Sequence, residues 1–90
     1  MGSAYILKAD GTTVQLDHRP TFKEAREIVG GYIELVHCPP KCTLVVNEEG
    51  LMRGLPLNKE ATALYGYSTI VGDVIVLEGW KTVGAVGGDS

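Results

Sequence analysis

His37-Cys38-Pro39-Pro40-Lys41-Cys42 holds the densest set of reactive side chains in this sequence. Two thiols four residues apart, beside an imidazole, invite a zinc reading, because thiolate and imidazole are ligands zinc favours. A structural zinc site needs four ligands, and His18, beyond the first candidate hairpin, is the other histidine. The spacing also misses the C-x-x-C of redox and ribbon sites by one residue. Cys38 and Cys42 therefore read either as reduced thiols in a loop or as a disulfide, and no metal is expected. A thiolate activated by His37 is a second chemistry to weigh. Adjacent residues on a strand point to opposite faces, which separates His37 from Cys38. The serines are Ser3, Ser68 and Ser90, and none lies in a G-x-S-x-G elbow. No catalytic residue is assigned.

The carboxylates Glu34, Glu48, Glu49, Glu60, Asp73 and Glu78 are the next candidates, for acid–base or metal work. Glu48 and Glu49 precede Gly50 and read as solvated turn residues. Glu34 follows Tyr32 inside a strand-like stretch, where it faces solvent, a pocket or a sheet edge. Phosphate binding fails on pattern. Neither Gly30-Gly31 nor Gly87-Gly88 fits a phosphate-binding glycine motif. Gly30-Gly31 also ends a helix, where the dipole repels an anion. No cofactor is expected.

These residues need a scaffold. Ala4–Lys8 reads as a strand, Asp10-Gly11 as a two-residue hairpin turn, and Thr12–Asp17 as the returning strand with Val14 and Leu16 on one face. Pro20 marks a boundary. Thr21 and Glu24 form a capping box, and Phe22, Ala25, Ile28 and Val29 give one apolar helical face. Gly30 stands where a left-handed helix cap is required. Gly31 permits a tight reversal or a close approach. Tyr32–His37 is a strand with Tyr32, Glu34 and Val36 on one face and Ile33 and Leu35 on the other. Thr43–Asn47 is a strongly apolar strand, and Leu51–Arg53 a candidate short return strand. Asn58 caps a second short helix, with Ala61, Leu64 and Tyr65 on one apolar face and Gly66 at its end. Gly72-Asp73 turns into Val74–Leu77, a strand buried on both faces. The tail from Gly84 is small and polar and is expected to fray.

The resulting order is β-β-α-β-β-α-β. The expected class is α+β: a single mixed or antiparallel sheet, one main helix on a face and a second short helix. Ninety residues suit one domain, with an ordered core over about residues 4–80. Eight basic residues are scattered and the net charge is −3, so no nucleic acid partner is expected. No apolar run approaches a membrane span, and no leader pattern opens the chain.

Three stretches in order carry a resemblance: Val29-Gly30-Gly31-Tyr32-Ile33-Glu34, then Val46-Asn47-Glu48-Glu49-Gly50-Leu51 leading to Gly54-Leu55-Pro56-Leu57-Asn58, then Ile70-Val71-Gly72-Asp73-Val74-Ile75-Val76. Together they resemble a family of small domains of unknown function common in tailed phages, prophages and bacterial mobile elements. The resemblance spans roughly residues 4–78 and brings no activity with it. It implies an accessory role in a bacterial host cytoplasm. It also marks Tyr32, Glu34, Asn47, Glu48, Glu49 and Asn58 as candidate binding residues at strand ends and turns. Asn47 has a competing role in closing its turn, and Asn58 in capping its helix.

The leading expectation is a non-enzymatic binding module that engages a host protein. A small-ligand binder or small enzyme, with Tyr32, Glu34, Asn58 and Tyr65 around a pocket, is the alternative. A structural homodimer paired through an edge strand is the third.

Overall fold

Strong β formers fill five segments, and two capped amphipathic segments separate them. The computed structural model describes residues 3–38 and 42–79. The strands are β1 (Ser3–Leu7), β2 (Thr13–Leu16), β3 (Ile33–Cys38), β4 (Cys42–Asn47) and β5 (Val74–Glu78). The helices are α1 (Phe22–Val29) and α2 (Lys59–Tyr65). The strands form one antiparallel sheet in the order β2-β1-β5-β4-β3. The architecture is α+β, as the sequence leads one to expect. The tail beyond residue 79 and the Pro39-Pro40-Lys41 segment lie outside the described residues.

Alternation divides the core between the two faces of the sheet. Ala4, Val45, Ile75 and Leu77 face Ala25 and Val29 of α1, joined by Leu16, Ile28, Ile33 and Leu35. Leu7, Leu44, Val46, Val74 and Val76 face the other way and pack with Ala61 of α2 and with Ile70. β4 and β5 are apolar at successive positions because a helix or loop covers each of their faces. α1 carries the chain from edge strand β2 to edge strand β3.

Local chemistry fixes the helix ends. The Thr21 hydroxyl accepts from the Glu24 N–H at 3.1 Å, and the Glu24 carboxylate accepts from the Thr21 N–H at 2.8 Å. Gly30 ends α1 at φ 83°, a left-handed conformation that penalises a Cβ. Asn58 and Gly66 bound α2.

Three expectations change. The first hairpin closes with three residues, not two. Lys8 pairs with Thr12, and Gly11 donates to the Lys8 carbonyl at 2.9 Å. Gly11 at φ 94° supplies the left-handed residue that a three-residue loop needs. Leu51–Arg53 is a coil of turns and not a strand. Arg53 N–H bonds the Glu49 carbonyl and Leu55 N–H bonds the Gly50 carbonyl, so local partners take the groups a ladder would use. Val14, Phe22 and Leu64, each placed by periodicity on an apolar face, remain exposed.

Candidate functional site

Glu34 and Val36 point to the α2 side of the sheet, because their neighbours Ile33 and Leu35 are committed to the α1 side. They form one wall of a cleft of about 290 Å³. Val46 floors it. Glu48, Leu51 and Met52 of the turn after β4 form a second wall, and Tyr65 with residues 68–71 the third. The turn stands because Asn47 organises it. The Asn47 Oδ1 accepts from the Glu49 N–H at 2.8 Å, and its Nδ2 donates to the Val29 carbonyl at 3.0 Å. One buried side chain thus fixes both the turn and the end of α1.

The lips of the cleft are apolar. Leu51 is 71% exposed and Met52 84%, and Tyr67, next to the lining residue Ser68 in sequence, is 72% exposed. Tyr67 meets Tyr65 edge-on at 5.3 Å, beside the third wall. Exposed apolar side chains of this size, gathered around carboxylates, mark a surface that favours contact over water.

The six candidate residues fall in four places. Glu34 and Glu48 meet at the cleft, with Asn47 lining its base. Glu49 is exposed on the same turn. Asn58 is fully buried, donating to the carbonyls of Leu7 at 2.9 Å and Gly72 at 2.8 Å while its Oδ1 accepts from the Ala61 N–H. Its amide is consumed in tying β1, the turn before β5 and α2 together. Tyr32 lies just before β3, and its backbone carbonyl still accepts from the Glu48 N–H. Its ring lies 4.8 Å from the Arg26 guanidinium of α1, which also approaches the Phe22 ring at 5.9 Å. Glu34 and Tyr65 share the cleft, while Tyr32 and Asn58 do not line it.

Leu51 and Met52 are lining residues that the sequence does not single out as candidates. Their signal was a pair of large apolar residues following the turn-rich Asn47-Glu48-Glu49-Gly50, which a surface loop does not need. Cys38 and Cys42 face each other in register across β3 and β4 and are joined as a disulfide. In that state neither sulfur is a thiolate ligand or nucleophile.

A separate electrostatic cluster lies at the start of α1. The exposed His18 ring contacts Asp17 through Nδ1 at 2.7 Å and Glu24 through Nε2 at 3.0 Å. Hydrogen bonding to Asp17, then to Glu24, raises the imidazole pKa above its ordinary value. The Thr21 backbone bond, followed by His18, lowers that of Glu24.

The family model for a domain of unknown function, DUF3846, matches residues 3–86. The chain belongs to this family. The match takes in all five strands, both helices and every lining residue of the cleft. No curated protein and no solved structure matches the chain. Among the described residues of this DUF3846 domain, no helix is long and apolar enough to cross a membrane.

Proposed function

We propose that this chain is a non-enzymatic binding module that holds a host protein in the cleft between β3, the 48–52 turn and α2, in the service of a phage or mobile element in the bacterial cytoplasm. The observation that carries the reading is the exposure of Leu51 and Met52 on the lip above Glu34 and Glu48. Methionine and aromatic residues are enriched at protein interfaces, and methionine adapts its shape to a partner. The two carboxylates select a partner with basic side chains around an apolar one. A volume of about 290 Å³ lies just under the roughly 300–1,000 Å³ usual for small-molecule pockets, which supports a protein side chain as the occupant. In a reducing cytoplasm Cys38 and Cys42 would be thiols, and their ladder register would still hold them adjacent.

The test is affinity capture from bacterial lysate, identification of the partner, and calorimetric titration of that partner once purified. Wild type is compared with a Leu51→Glu/Met52→Glu double variant and with Tyr32→Ala. The expected result is at least a tenfold loss of affinity for the double variant and little change for Tyr32→Ala. Equal affinity across the three proteins would overturn the assignment of the cleft.

A further inference from the structure

We infer that the partner segment binds as an added antiparallel strand on β3, with an apolar-x-basic pattern facing the cleft. This rests on the proposed binding role and gives it a mode. Among the described residues β3 is an edge strand, paired with β4 alone. Its six-residue ladder to β4 runs from Ile33–Asn47 to Cys38–Cys42 without a bulge. No proline or lysine interrupts it, and Glu34 is the one carboxylate on this edge, a charge that a basic residue on an added strand would neutralise.

The hydrogen-bond parity identifies the groups on offer. The Tyr32 carbonyl accepts from the Glu48 N–H at 2.9 Å, so Tyr32 and Glu48 form a bonded pair. Bonded and unbonded pairs alternate along an antiparallel ladder. Glu34 and Val36 therefore bond inward to β4, and the N–H and C=O groups of Ile33, Leu35 and His37 point outward. A strand added there continues the pleat, and every second side chain falls on the α2 face beside Glu34 and Val36.

Charge and polarity then fix the sequence pattern. The residue opposite Glu34 meets a carboxylate, with Glu48 lining the same cleft, and is matched by lysine or arginine. The residue opposite Val36 meets an apolar side chain and is matched by valine, isoleucine or leucine. An antiparallel strand passes Val36 before Glu34, so its pattern reads apolar-x-basic from N to C. A second copy of this chain fits less well. Antiparallel self-pairing of β3 in a continuous sheet sets residues of like face opposite each other, so Glu34 would meet Val36, Cys38 or another Glu34 and never a base.

The experiment uses the full chain and three synthetic threonine-rich nonapeptides whose centres read Val-Thr-Lys, Val-Thr-Glu and Lys-Thr-Val. Affinity is read by fluorescence anisotropy, and amide exchange by NMR. The Val-Thr-Lys peptide is expected to bind at least tenfold more tightly than either other peptide. It should slow exchange at the amides of Ile33, Leu35 and His37, and Glu34→Lys should shift the preference to Val-Thr-Glu. Equal affinities, no measurable binding, or protection confined to other amides would overturn strand addition. So would concentration-dependent dimerisation of the free chain, seen by light scattering, that protects these amides. If the lysate partner is lost on Leu51→Glu/Met52→Glu but leaves the three amides unprotected, the binding role stands and strand addition fails.

Discussion

Gly31 shows how one residue is fixed by what passes it. A Cβ at Gly31 would lie 2.9 Å from the Arg53 Nη1 and 3.1 Å from the Asn47 Nδ2. Those two nitrogens donate to the carbonyls of Gly30 and Val29 at the end of α1. Gly31→Ala is expected to cost about 1 kcal/mol by displacing Arg53. The cost should shrink in an Arg53→Ala background, and a double-mutant cycle from denaturant melts reads the coupling. Gly30→Val acts differently, through its φ, and should cost on the order of 1–2 kcal/mol whatever stands at position 53. Asn58→Ala removes a helix cap and leaves the Leu7 and Gly72 carbonyls short of a donor. Its expected cost is on the order of 3 kcal/mol, measured by the same melts. The need for glycine at position 30 was legible in the sequence, since it follows from local helix geometry. The need at position 31 was not, because it depends on a side chain 22 residues away.

The start of α1 and the β3–β4 hairpin give predictions at the scale of the element. His18 gains partners on folding, so its folded pKa is raised. Its contribution is complete below the ordinary imidazole range and is lost as pH rises through the raised value. Asp17 and Glu24 are lowered, so theirs is complete above the ordinary carboxylate range and is lost as pH falls through the lowered values. The cluster therefore favours folding most between roughly pH 5 and 6.5. Thermal melts across pH should show His18→Ala narrowing its gap to wild type above that window. In the hairpin, the Cys38–Cys42 crosslink encloses a short loop, and reduction should cost about 2 kcal/mol or less. Melts with and without dithiothreitol check this, and Cys42→Ser should remove the difference. Helix caps and strand periods were readable because they are written in neighbouring residues. The three-residue hairpin and the coiled 51–53 segment were misread. The choice between strand and turn there rests on which backbone groups find partners, and that is settled by the packed chain.

For the molecule as a whole, the two-faced division of the core decides which candidate residues can act together. Sequence placed Tyr32 and Glu34 on one strand face. In the fold Arg26 holds Tyr32 toward α1, while the pleat holds Glu34 toward α2. The cleft joins β3, β4, the following turn and the residues after α2, segments up to 37 positions apart, so local pattern does not reveal it. Its lip residues Leu51 and Met52 contribute little burial. Substitutions there should alter stability by less than about 0.5 kcal/mol while altering binding. That separation lets function be tested without a confounding loss of fold.

The most direct test is chemical-shift mapping of the captured partner on the nitrogen-15-labelled chain. Shifts are expected to concentrate at Glu34, Glu48 to Met52 and Ser68 to Val71, with the amides around Lys23 and Arg26 unmoved. Shifts confined to the α1 face, around Phe22, Arg26 and Tyr32, would contradict the cleft assignment.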